Sequence, residues 1–213
     1  MKYLAIDTAS AALKILLKID GASYYFQSDD YRSASESLLP EIDKLLVGAG
    51  ITLSGLDFLS CVIGPGSFTG IRIGMAAIKA FAYASGLKVK AVNTLQLLAY
   101  NNSGKADTVV SVCDAGNGYR YVAVYDEKVN KVLEPKCLKI EELEDFLKLI
   151  DEPIELFLDN ISKASLGCGV VPGKENFARA LALASEKAEA MAFNDIEPMY
   201  IRKPQAEKDL ENK

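Results

Sequence analysis

Leu59-Ser60-Cys61-Val62-Ile63-Gly64-Pro65-Gly66-Ser67-Phe68-Thr69-Gly70-Ile71-Arg72-Ile73-Gly74 is the stretch from which the fold can be read. Its first five residues are an apolar run short enough for a strand buried on both faces. A Gly-Pro-Gly turn follows. From Phe68 to Ser85 apolar residues return at helical period, up to Gly86, the residue type that closes helices. Strand, tight turn and helix make the unit of an α/β fold. The turn offers backbone N–H groups at a helix start, which suits phosphate or carboxylate, with Ser67, Thr69 and Arg72 as candidate anion or nucleotide contacts. The same residues equally suit a plain strand-to-helix turn in which Ser67 or Thr69 caps the helix. It is not a Walker A loop, because no Gly-Lys-Ser/Thr follows the glycines.

Along the helix, Gly70, Gly74, Ala77, Phe81 and Ala84 leave one face almost without side-chain bulk. Small residues at that period let two helices approach closely, within a domain or between chains. Upstream, Leu38, Leu39, Ile42, Leu45, Leu46 and Ala49 form a second helical stripe ended by Gly48 or Gly50. Ser33 and Glu36 have capping-box spacing, and Pro40 either kinks this helix or moves its start toward Ser37. Residues 2–6, 13–19 and 23–27 read as three short strands, the last two antiparallel. Beyond the opening stretch, residues 89–92 read as a strand, and Thr94 is placed to cap a helix through Tyr100. The polar Asn101-Asn102-Ser103-Gly104-Lys105 marks a boundary between subdomains 1–104 and 105–213. The second half repeats the order, with strands at 108–113, 119–125, 132–133 and 154–158 and helices at 140–150 and 177–191. In each half the first strand closes on an aspartate, Asp7 or Asp114. A duplicated mixed α/β unit describes this pattern.

Composition narrows the chemistry. A 213-residue chain that is half hydrophobic can bury a substantial core. The histidine count is 0, which excludes imidazole bases, His-based triads and His metal sites. Cys61, Cys113, Cys137 and Cys168 lack C-x-x-C spacing and read as core residues, so no metal site is expected. A net charge of −5 argues against strong nucleic-acid binding by this chain alone, although Arg202, Lys203 and Lys208 form a small basic group. No apolar run approaches the roughly 20 residues of a membrane span. Asp7 interrupts the apolar N-terminus, so no membrane partner and a cytoplasmic location are expected. Asp7 is followed by Thr8-Ala9-Ser10 in place of a glycine that would let a phosphate reach the backbone, and a simple Asx turn is the alternative. Gly167-Cys168-Gly169 reads either as the remnant of an adenosine contact or as an ordinary turn.

Ala5-Ile6-Asp7-Thr8, Ser35-Glu36-Ser37-Leu38-Leu39-Pro40, the glycine turn through Arg72, Asp114-Ala115 with Tyr121-Val122-Ala123-Val124-Tyr125, and Glu197-Pro198-Met199-Tyr200-Ile201-Arg202 span nearly the whole chain. In that order they resemble the TsaB (YeaZ) family of the actin-like ATPase superfamily, with Ala34 standing where the family usually has histidine. The resemblance implies an α/β fold of two RNase H-like subdomains, with mixed five-stranded sheets and flanking helices. It implies a non-catalytic partner of a TsaD-like subunit, which transfers threonylcarbamoyl to N6 of the tRNA adenosine next to the anticodon. A TsaE-like ATPase joins them, and tRNA is met only within the complex. The implied contact surface is residues 34–49 and 68–85, here Leu38, Leu39, Ile42, Leu45, Gly70, Gly74, Ala77 and Phe81, and the same face would serve a homodimer. No cofactor of its own is implied, with ATP or ADP and Mg as candidates at the partner interface. The alternative is an independent actin-like ATPase or small-molecule kinase that places Asp7 and Asp114 around Mg-nucleotide. A peptidase is disfavoured by the absence of histidine.

Overall fold

The computed structural model describes residues 1–10, 12–28, 34–101, 107–150, 154–159, 171–172 and 176–202. Two sheets organise them. The first has the order β11-β5-β4-β1-β2-β3. Strands β1 (Lys2–Asp7), β2 (Lys14–Ile19) and β3 (Ala22–Gln27) form an antiparallel meander. Strands β4 (Phe58–Gly64) and β5 (Lys88–Asn93) run parallel to β1. Between these pairs lie helix α1 (Ala34–Gly48) and helix α2 (Phe68–Ser85), and Pro40 lies inside α1. The helix therefore starts before Ser37. The capping-box residue Ser33 lies outside the described residues.

Strand β1 is apolar because both of its faces are covered. Tyr3, Leu4, Ala5 and Ile6 are fully buried. Ile6 points at α2, where its Cδ1 lies beside Gly74. Tyr3 points the other way, to helix α5 (Phe177–Lys187), and donates its hydroxyl hydrogen to Glu186 at 2.9 Å. Burial raises the Tyr3 phenol pKa, and that hydrogen bond adds to the rise. Lys90 Nζ donates to the Glu186 carbonyl at 3.0 Å while its charge sits over the Phe58 ring.

The second sheet has the order β10-β9-β6-β7-β8. It consists of β6 (Thr108–Asp114), β7 (Tyr119–Asp126), β8 (Lys131–Lys139), β9 (Ile154–Asp159) and β10 (Val171–Pro172). Helix α4 (Ile140–Lys148) buries Leu143 and Leu147 against Val110, Val112, Val122 and Val124 on one face. The opposite face, through Val109, Cys113 and Ala123, joins the main core shared with the first sheet. The short helix α3 (Thr94–Ala99) lies between them.

The structure corrects the sequence reading at three places. The cap of α3 is Asn93, whose Oδ1 accepts from the N–H groups of Leu95 at 2.7 Å and Gln96 at 3.3 Å, whereas Thr94 is buried. The Ala-rich helix ends at Lys187. Ala190–Met191 forms strand β11, antiparallel to β5, which makes the first sheet six-stranded rather than five-stranded. The chain thus returns to its first sheet after building the second.

Candidate functional site

The glycine turn lies where three segments meet. Ser67 caps α2, its Oγ accepting from Gly70 N–H at 3.2 Å, and its own N–H donates to the Ala9 carbonyl at 2.8 Å. A Cβ on Gly66 would overlap the Ala9 carbonyl oxygen, and one on Gly70 would overlap the Thr8 carbonyl oxygen. On Gly74 it would overlap Thr8 Oγ1, which donates to the Gly70 carbonyl at 2.7 Å. Gly64 follows the same logic. Its φ is +111°, and an added Cβ would lie 2.9 Å from the Met199 carbonyl oxygen. Met199 N–H donates to the Ile63 carbonyl at 2.8 Å, so residues 197–202 strap the turn from outside. These glycines admit the chain's own backbone. No phosphate is needed to explain them.

Asp7 is equally occupied. Its Oδ1 accepts from Ala9 N–H at 2.9 Å and Ser10 N–H at 3.1 Å. Its Oδ2 accepts from the Ser10 hydroxyl and lies 3.2 Å from Lys14 Nζ. The Lys14 ammonium also donates to Ser10 Oγ and sits 4.4 Å from the centre of the Phe177 ring. Both charged side chains are buried, Asp7 at 0 % exposure and Lys14 at 2 %. Register explains the pairing, because antiparallel β2 sets Lys14 opposite Asp7. A divalent cation at this carboxylate would have to displace the ammonium, so the residues do not fit a Mg site there. Asp114 is half-exposed but also engaged, with Arg120 Nη1 at 2.5 Å and Gly116 N–H at 3.2 Å. Among the described residues no group of three Cys, Asp or Glu side chains could hold a metal. Gly167-Cys168-Gly169 lies outside the described residues.

Of the anion candidates, Ser67 is the helix cap, Thr69 is exposed, and Asp7 is sealed in. Arg72 is exposed, its guanidinium 3.9 Å from the centre of the Phe68 ring and its Nε 3.3 Å from the Tyr200 hydroxyl.

The interface candidates separate by face. Leu38 and Ile42 are buried in the chain's own core and Leu45 is half-buried. Leu39, one residue and about 100° round the helix from Leu38, is 56 % exposed. On α2, Gly70 and Gly74 face inward against Thr8, while Ala77 and Phe81 are half-buried. The predicted small-residue stripe therefore runs from the buried Gly70 and Gly74, through the half-buried Ala77 and Phe81, to the exposed Ala84. What faces outward on α2 is Arg72, Ala76, Ala80, Tyr83 and Ala84, with Ile73 and Ala77 half-covered beside them. Tyr83 is 78 % exposed and, on α1, Val47 is 72 % exposed. Sequence periodicity missed this outer face, although Ala76, Ala80 and Tyr83 carry the same helical signal.

Two mixed α/β sheets joined through a shared core, each with a first strand ending on an aspartate, fit a fold of two RNase H-like halves. The family model described as TsaD, tRNA N6-adenosine threonylcarbamoyltransferase, matches residues 30–164. The tRNA threonylcarbamoyladenosine biosynthesis protein TsaB of Escherichia coli K12 is 27 % identical, with 100 % of each chain covered. Its Bacillus subtilis 168 namesake is 26 % identical over 97 % of this chain and 96 % of the relative. The solved structure of YeaZ from Pseudomonas aeruginosa superposes with a TM-score of 0.71 at 24 % identity, covering 93 % of this chain and 99 % of that one, and shares the fold. The chain belongs to this TsaD family. Among the described residues no helix is long and apolar enough to cross a membrane.

Proposed function

We propose that the chain is a non-catalytic subunit of a tRNA threonylcarbamoyladenosine-forming complex, and that it acts by holding a TsaD-like transferase against the outer faces of α1 and α2. The observation that carries this reading is the exposed apolar surface formed by Leu39 and Val47 on α1 and by Ala76, Ala80 and Tyr83 on α2. Small side chains at helical period on an outer face let a partner helix approach closely. The buried Asp7–Lys14 pair supports a supporting role over independent ATPase or kinase chemistry, since that carboxylate is already neutralised inside the protein. In this reading the partner brings the catalytic groups, a TsaE-like ATPase and tRNA join the assembled pair, and ATP or ADP with Mg belongs to the seam with the partner. The same face can pair two copies of the chain when no partner is present.

The test is co-purification of the chain with a TsaD-like subunit, comparing wild type with Ala80→Glu. A carboxylate on the outer face should abolish capture while the melting temperature stays the same. Undiminished capture would remove α2 from the interface and defeat the reading.

A further inference from the structure

Two arginines among the described residues lie over aromatic rings. The Arg72 guanidinium lies over Phe68, 3.9 Å from its ring centre, and Phe68 stacks on Tyr200 with ring centres 5.3 Å apart and an interplanar angle of 29°. Two residues further on, the Arg202 guanidinium lies 4.1 Å from the centre of the Tyr119 ring. The segment that straps the glycine turn therefore carries both stacks, and the Cα atoms of Tyr200 and Arg202 are at most about 7 Å apart. Arg120, next in the chain to Tyr119, is neutralised by Asp114. Arg72 and Arg202 form no ion pair among the described residues. Phe68 and Tyr200 remain 38 % and 37 % exposed.

A guanidinium held over an aromatic ring can still offer its Nη groups to phosphate at little further entropic cost, and Arg72 engages its Nε with the Tyr200 hydroxyl. Half-exposed stacked rings beside such a charge form the kind of platform on which unpaired bases stack. On a chain with net charge −5, the strip is a local positive site on a repelling surface, so it would engage polyanion only locally or once a partner holds the rest. We infer that the Arg72–Phe68–Tyr200–Arg202 strip is an RNA-binding surface, contacting the backbone of an unpaired stretch through its two guanidiniums and a base through the exposed aromatic pair. Only the choice of tRNA as the RNA rests on the function proposed above.

The experiment measures tRNA affinity by fluorescence anisotropy across a salt series, for the chain alone and for the chain assembled with a TsaD-like subunit. Wild type is compared with the Arg72→Ala/Arg202→Ala double variant. Loss of two phosphate contacts should weaken binding at least about tenfold and flatten the dependence of log affinity on log salt by roughly 1 to 2. Melting temperature should be unchanged. Arg72→Lys/Arg202→Lys, which keeps the charges but not the planar stacks, should retain most of the salt slope while losing affinity. The same affinity in wild type and the alanine variant, with folding intact, overturns the inference. So does a variant that loses the partner but not the RNA, which would mark the strip as a protein-docking surface. If no TsaD-like partner is captured, yet the chain alone loses RNA on substitution, the strip stands and the proposed function falls.

Discussion

On the inner face of α2, Gly70 and Gly74 lie against Thr8; on its outer face, Ala76 and Ala80 are exposed. Each face carries small residues at helical spacing, two glycines inside and two alanines outside. The inner face is small because another backbone passes within contact distance, so its size is fixed by the fold. On the outer face Ala76 and Ala80 are exposed with no such close backbone, although Tyr83 meets Phe193 edge to face. A helix exposed on one side tolerates charged residues there, and the absence of charge at Ala76, Ala80, Tyr83 and Ala84 points to a surface shaped by something outside the chain. Spacing alone cannot distinguish the two cases, but substitution can.

The largest effect should come from the inner face. In Gly70→Ala the new methyl overlaps the Thr8 carbonyl oxygen, a backbone atom that cannot swing aside as a side chain could. Overpacking of a rigid site costs about 1–3 kcal/mol and occasionally more, and here the backbone is also tied down by the Asp7 turn. We expect Gly70→Ala to lose more than about 3 kcal/mol in denaturant unfolding, or to leave no soluble protein. Stability within about 0.5 kcal/mol of wild type would show that α2 can lift away from Thr8, and would remove the distinction between the faces.

Next in size is the surface against which the inner face packs. Thr8 and Ala9 are held in place because Asp7 binds the N–H groups of Ala9 and Ser10, and Lys14 balances its charge. Lys14→Met leaves the carboxylate buried without its counter-charge, a change that typically costs about 3–5 kcal/mol. The double variant Asp7→Asn/Lys14→Met should recover a large part of that loss in the same unfolding measurement. If the single and double variants are equally unstable, packing of the lysine stem, not charge, holds the turn.

Much of this was legible in the sequence. The apolar run 59–63, the glycines and Gly86 were enough to place β4, the turn and α2, because backbone rules act locally. The inward direction of Gly70 was not legible, since it depends on where Thr8 passes, 62 residues earlier in the chain. The pairing of Lys14 with Asp7 left a trace, one of two lysines in an otherwise apolar strand, but its meaning needs the β1–β2 register. Strand β11 left none. Two residues, Ala190–Met191, carry no period, and the Ala-rich pattern runs on through them as a helix would. The strap formed by Met199 and Tyr200 was likewise invisible, because its contacts reach back to Ile63, Phe68 and Arg72.

The smallest effect on stability should come from the outer face, and a thiol beneath the helix can read it. Cys61 pairs in register with Ile6, whose side chain faces Gly74, so it lies under α2. Burial pushes its thiol pKa up to about 12, slightly offset by the charge of Lys79. The thiolate is the reactive form, so at pH 8 the folded protein should label at Cys61 only when α2 opens. Peptide mapping separates this site from Cys113, Cys137 and Cys168. Ala80→Glu places charge on a surface already in water, so it should shift stability by no more than about 0.5 kcal/mol and leave the Cys61 labelling rate as in wild type. Any variant that loosens the inner face while still folding, such as Lys14→Met, should label faster. Faster labelling in Ala80→Glu would mean that the outer face also supports the helix within this chain, and its freedom from charge would then need no partner to explain it.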